Sequence, residues 1–425
     1  MKNNLAQYLS TSTICAGSLL VCVTLSIEAT ASVPTDPDTF LTFLEKHAPE
    51  DAISAAAYYT AVDPDGKKTT YADWLYETGF INDQLDYRST GAFEDNVDAA
   101  VTHKNETDLG FVRRVRVRCE PSCDNPNPDI YSVIENYLTF DDAANRTNRL
   151  ASVTMEWISA ADGSNPSDKF VVFYAYTGAD SRDQIDSTTG ATIPFQPNLD
   201  TRGEKAIPGL CNTCHGGAPR KLKKDGTYAE NGDTGSLFLA MDLDNFGFDP
   251  DPVRELSRAE QESQYKKMNE IVLITHRGTE KFDEVAEISR LPAGHEIIEG
   301  WYGGPGMPDP TFNGEFVPPG WLPPAAPVGA KELYLDAVVP ACRACHAQQE
   351  RALDFATYEG FMVFEDAHKD LVLSIECGLN DDTKDRKKAD NQAVMPLAKQ
   401  TYEIFWETSQ INVFKDHLGE VECEN

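Results

Sequence analysis

Two short runs carry the chemistry of this chain: Cys211-Asn212-Thr213-Cys214-His215 and Cys342-Arg343-Ala344-Cys345-His346. In each, two thiols stand three positions apart with a histidine directly after the second. On a helical turn, such thiols can each add to a vinyl group of one haem, and the histidine then lies under the iron as its proximal ligand. Three other chemistries compete for the same letters. A thioredoxin-like CxxC sits in a βαβ setting and requires no histidine after it. A four-cysteine zinc site brings its pairs much closer in sequence than Cys214 and Cys342. Coincidence explains one such run better than two. The reading adopted is covalent attachment of two haem c groups, at Cys211, Cys214 and His215 and at Cys342, Cys345 and His346.

The surroundings of the second run add a resemblance. Ala330–Val339 reads as a short helix leading into Cys342. Far downstream come Met395-Pro396 and then a helical stretch from Leu397 to about Glu407. In this arrangement 329–425 resembles a class I cytochrome c domain, and the chain as a whole resembles a dihaem c-type cytochrome. The resemblance implies that Met395 is the sixth iron ligand at the second haem and that the first and last helices cross. Leu333, Tyr334 and Ala337 form one apolar stripe, and Tyr402, Phe405 and Trp406 form another. A thioether opposite an imidazole raises the potential and fills the iron, which suits electron transfer. The bland alternative for Met395 is core packing.

The first run departs from that pattern. Pro208-Gly209 stands just before it and disfavours a long leading helix. Gly216-Gly217 follows His215 and permits close passage of the backbone over a porphyrin. Its sixth ligand is open. Met307, in Gly306-Met307-Pro308, ranks first because it mirrors the later Met-Pro pair, and Met241 ranks second. His276 and His295 are nitrogen alternatives, each with a surface role as its plain reading.

The elements that must position these sites divide the 425 residues into segments. Residues 1–31 read as a signal peptide: Lys2, the apolar stretch Ile14–Ile27, then the cleavable Ala29-Thr30-Ala31. From 32 to 200 no cofactor motif occurs. After an early helix through Phe40, Phe43 and Leu44, four runs rich in β-branched and aromatic residues predict an antiparallel sheet. These are Phe111–Arg118, Tyr131–Phe140, Arg149–Ile158 and Lys169–Tyr176. The first haem segment spans 201–316, with helices predicted over Arg258–Thr275 and Ala293–Trp301. Residues 317–328 are proline-rich and read as a stiff linker, and the second haem segment spans 329–425. The fold class expected is therefore multidomain: an N-terminal α+β domain followed by two mainly α-helical, cytochrome c-like domains.

In the strand Val112–Arg118, Arg114, Arg116 and Arg118 alternate with Val115 and Val117. A solvated face paired with carboxylates is the favoured reading, and a basic face for haem propionates the other. Asp63-Pro64-Asp65-Gly66 and Asp242-Leu243-Asp244-Asn245 begin like calcium loops, but Lys67 and Phe246 occupy positions that need oxygen, so both read as turns. Outside the haem runs and the leader, Cys119, Cys123, Cys377 and Cys423 are an even number in an exported chain. Pairing Cys119 with Cys123 and Cys377 with Cys423 is the simplest scheme.

With 69 acidic against 37 basic residues, the formal net charge is −32. Nucleic acid is excluded as a partner on charge, and a redox protein with a basic docking face fits it. The plain reading of that charge is solubility. No segment after the leader is apolar enough to span a membrane. The function these expectations outline is a periplasmic relay of single electrons. The alternative is a peroxidase-like dihaem oxidoreductase whose first haem keeps an open iron.

Overall fold

The computed structural model describes residues 51–90, 96–161, 163, 168–199, 204–277, 279, 281–283, 288–349, 354–363 and 399–418. The leader, the early helix at Phe40, Met395, Cys377 and Cys423 lie outside the described residues. The fold is mixed α+β. Five strands, β1 (Ala99–Asn105), β2 (Val112–Glu120), β3 (Asp129–Tyr137), β4 (Ala151–Ser159) and β5 (Lys169–Thr177), form an antiparallel meander. Two short strands, β6 (Asp183–Ile185) and β7 (Thr192–Pro194), pair as a separate ribbon. A two-residue strand, β8 (Phe246–Gly247), returns from beyond the first CxxCH run to pair with β1, giving a six-stranded sheet in the order β5-β4-β3-β2-β1-β8.

Both long edges of this sheet are closed by side chains, which removes the unpaired backbone that an edge strand would otherwise present. On the β5 edge, helix α1 (Ala52–Val62) supplies two tyrosine hydroxyls: Tyr58 accepts from Phe173 N at 2.8 Å and Tyr59 from Ala175 N at 3.3 Å. On the β1 edge, Gln261 mimics a strand. Its Oε1 accepts from Thr102 N at 2.6 Å and its Nε2 donates to Thr102 O at 2.9 Å, while Gln264 Oε1 accepts from Ala100 N.

The faces differ. Val115, Val117, Met155, Trp157, Val171 and Phe173 share one face with Arg113 and His103, which are directly opposite each other across β1 and β2. The other face carries Arg114, Arg116, Glu135, Glu156, Tyr174 and Tyr176. It is covered in part by helix α2 (Tyr71–Glu77), whose Trp74 Nε1 donates to Glu156 at 2.7 Å. This corrects the solvated-arginine expectation. Arg114 and Arg116 are 4% and 8% exposed. Arg114 pairs with Glu135 at 2.8 Å, Arg116 donates to the Val101 and Val115 carbonyls, and Arg118 reaches Thr78 O and Glu120. The arginines point away from solvent because α2 lies over their face.

Helices α3 (Gln84–Thr90) and α4 (Phe140–Asn145) flank the sheet. The first CxxCH run lies on α5 (Gly209–His215). The long α6 (Arg258–Thr275) starts from a capping box between Ser257 and Glu260, and α7 (Ala293–Trp301) follows. The second CxxCH run ends a continuous helical rod: α8 (Ala330–Leu333), a π-helical stretch Tyr334–Arg343, then α9 (Ala344–His346). After it come α10 (Tyr358–Met362), α11 (Lys399–Glu407) and α12 (Gln410–Leu418).

One apolar core runs from Tyr58 through the sheet to α5, α6, α7 and Ala347. It is continuous across residue 200. A second core gathers Leu333, Tyr334, Ala337, Phe361, Trp406 and Phe414, so the rod does pack against α11 and α12. The proline-rich stretch belongs to this core rather than spanning a gap. Trp321 is fully buried and its Nε1 donates to Phe355 O at 2.9 Å. Cys119 and Cys123 form a disulfide. Among the described residues no helix is long and apolar enough to cross a membrane.

Candidate haem-attachment site

The first run is held by a polar lock. Asn212, the first variable residue of the run, donates to Gly216 O at 3.0 Å, Thr234 Oγ1 at 3.1 Å and Ser236 Oγ at 2.7 Å. This fixes the chain as it leaves α5, where Gly216 and Gly217 both have positive φ. A Cβ on Gly216 would stand 2.2 Å from Gln348 O, and one on Gly217 2.1 Å from Thr234 O. The close passage expected of these glycines therefore occurs, but against backbone from two other segments.

His215 packs on Phe173 of β5 with ring centroids 5.4 Å apart. Its Nδ1 lies 2.9 Å from Leu237 O, so Nδ1 carries the proton and donates, which leaves Nε2 with its lone pair. Burial, with the Arg113 charge adding to it, holds this imidazole down at about 4, against the pull of the Leu237 bond. At neutral pH it is an uncharged base, the state an iron ligand requires.

The second run is anchored to the segment after the first. Arg343, its first variable residue, makes a two-point ion pair with Asp242, Nε to Oδ2 and Nη2 to Oδ1, both 2.8 Å. Both side chains are almost wholly buried, and the guanidinium lies over Trp301 at 5.2 Å. Asp242 also accepts from Asn245 Nδ2 and Asp244 N, so the calcium-like run is a 3₁₀ turn. Asp63 is a turn too, accepting from Lys67 N and Lys68 N and pairing with Arg182. His346 stacks on Phe355 with centroids 4.1 Å apart.

The runs meet. Cys345 Sγ lies 3.6 Å from Cys214 Sγ across a sequence separation of 131. Gln349 Nε2 donates to Thr213 O at 2.8 Å, and Gly294 N donates to Ala347 O at 3.0 Å. The proximity of the Cys214 sulfur and burial both raise the Cys345 thiol, and burial pushes Cys342 up to about 12. None of the four run cysteines is in a disulfide. Among the described residues their four sulfurs do not converge as one metal tetrad would, since the only such grouping is Asp98 with the oxidised Cys119 and Cys123.

Around this junction lie buried polar atoms without hydrogen-bond partners: Nδ1 of His295, both amide atoms of Gln348, and a ring nitrogen of His276, whose other contact is the Phe238 backbone. His276 and His295 have centroids 5.7 Å apart. Burial, then His295, pushes His276 down to about 3. Unmet polar atoms of this kind are uncommon in folded proteins, and those facing the runs are available to a ligand or to water. With unoxidised thiol pairs and the neutral His215, they fit haem c at these runs. Of the methionine alternatives, Met307 is buried in the main core and its carbonyl accepts from Lys266. Met241 is partly exposed, with its main chain clasped by Asn269.

Arg113, the Asp242–Arg343 pair, Asn212 and the two glutamines were not legible as site residues. Each acts through a contact far away in sequence. His103, opposite Arg113, places Nδ1 2.9 Å from Tyr265 OH and stacks on Phe246. Burial first, then Arg113, holds its pKa well below the ordinary value. Above the unfolded value of ~6.5 both states are neutral. Below it the unfolded chain takes up a proton that the folded chain refuses, so stability falls until the folded pKa is reached. The expected slope is ~1.4 kcal/mol per pH unit from this one group. Urea titrations of His103→Gln should show the acid-side slope reduced by that amount. An unchanged slope would refute the assignment.

The fold and site define a mixed α+β protein in which two CxxCH runs share one buried junction. No protein-family model, curated protein or solved structure matches the chain.

Proposed function

We propose that the chain is an exported, periplasmic dihaem c-type cytochrome that relays single electrons between redox partners. The observation that carries this reading is the meeting of the two CxxCH runs, with all four cysteines unoxidised in a chain that does oxidise Cys119–Cys123. Cys211, Cys214, Cys342 and Cys345 are the attachment points. His215 and His346 are the proximal ligands, and Met395 is the second haem's sixth ligand. For the first haem we place His276 ahead of Met307 and Met241, because its imidazole is fully buried and neutral and, beside the Phe238 backbone, keeps one ring nitrogen without a partner.

The haems supply one-electron redox chemistry, and the chain does the rest. Leu237 O fixes the tautomer and direction of His215. Asn212 holds the turn that follows it, and Arg343–Asp242 sets the second run against the first. The acidic surface steers a partner with a basic docking face.

The test is to express the full chain with haem-attachment machinery, then measure intact mass and the pyridine haemochrome. Two haems per chain are expected. Four alkylatable thiols in place of haem would overturn the reading. Adding cyanide or carbon monoxide then separates a carrier from an oxidoreductase: both haems should ignore the ligands, whereas rapid binding at one favours the peroxidase-like alternative.

A further inference from the structure

Resting on that reading, we propose that the Cys214–Cys345 contact is an electron bridge, so that the two haems work as one coupled pair rather than two independent carriers. Each of these cysteines is the second thiol of its run. Once it has become a thioether, its sulfur would stand two bonds from the porphyrin edge, through the former vinyl carbon. The two edges would then be joined by those two bonds on each side and a single sulfur–sulfur contact, 3.6 Å between the thiols in this structure. No side chain intervenes.

The junction is built to hold that spacing. Gln349 ties the residue after His346's first turn to Thr213 O, inside the first run. Gly216 lets the Gln348 carbonyl approach to a distance that any Cβ would block. The buried Arg343–Asp242 pair fixes the rod's azimuth, since a bidentate guanidinium–carboxylate contact sets orientation as well as separation. Cys214 is buried and Cys345 partly so, which lowers the local dielectric and strengthens charge–charge coupling across the contact. Reducing one haem therefore opposes reduction of the other. The unpaired spins of two oxidised haems also interact.

The experiment uses the full-length protein with its haem count fixed by mass. Low-temperature electron paramagnetic resonance of the oxidised form should show loss or broadening of isolated-haem signals, and a redox titration should give two separated one-electron waves. Gly216→Ala forces its new methyl onto Gln348 O and should restore isolated-haem signals with both haems retained. Gln349→Ala, which removes one hydrogen bond, should move the spectrum in the same direction by less, and serves if Gly216→Ala does not mature. Two haems with magnetically independent spectra in the unaltered protein would overturn the bridge and leave the electron-carrier reading intact. Fewer than two haems would instead overturn that reading, and the bridge with it.

Discussion

Replacing Asp242 by alanine should destabilise the protein by about 3–5 kcal/mol, because it strands a buried arginine charge. Arg343 is 3% exposed, and its partner is held at two 2.8 Å contacts. Outside this pair its guanidinium has the neutral hydroxyl of Tyr334, the face of Trp301 and a carboxylate oxygen of Asp244 at 3.9 Å. None of these takes over the charge. The change also removes the cap on the Leu243–Asn245 turn. Chemical denaturation should therefore show an earlier midpoint, with the second run released first to limited proteolysis. Asp242→Leu combined with Arg343→Met should recover most of the loss, since two apolar side chains of similar volume need no compensation in a buried site. A single variant as stable as the parent would show that the pair is not buried in solution.

The local features of this fold were readable wherever a run of residues carried its own signal. The four β-rich runs became β2 to β5 within a few residues, and Arg258–Thr275 and Ala293–Trp301 are helices as drawn. Strand β1 was missed because Ala-Ala-Val-Thr-His-Lys-Asn has little β-branched content. What makes it a strand is non-local: pairing with β2 and the side chains of Gln261 and Gln264 on its outer edge. The proline-rich stretch misled for a related reason. Proline forbids helix and central strand, but it does not forbid burial, and Trp321 in its middle is a core residue. The CxxCH runs were unmistakable as chemistry, while their contact was invisible. Nothing in Cys-Arg-Ala-Cys-His says that its arginine answers an aspartate in the segment of the other run. A salt bridge across a sequence separation of 101 leaves no periodicity to read.

The second large effect is expected at His276. As an ordinary core residue this histidine is a liability, because a buried imidazole that leaves a ring nitrogen unbonded costs about 1–3 kcal/mol. Replacing it with an apolar side chain of similar volume would then relieve that cost and leave the haem spectrum untouched. As an iron ligand it has the opposite consequence. Its neutrality, enforced by burial down to about 3, keeps a lone pair available across the whole working pH range. His276→Leu should then leave one haem five-coordinate, shift its absorption toward the high-spin form and admit cyanide or carbon monoxide. Met307→Ala, tested beside it, should keep both haems closed. The two variants thus move stability and spectrum in opposite senses under the two roles. A His276→Leu protein with an unaltered spectrum and unaltered or improved stability would assign the histidine to the core and return Met307 to first place as ligand.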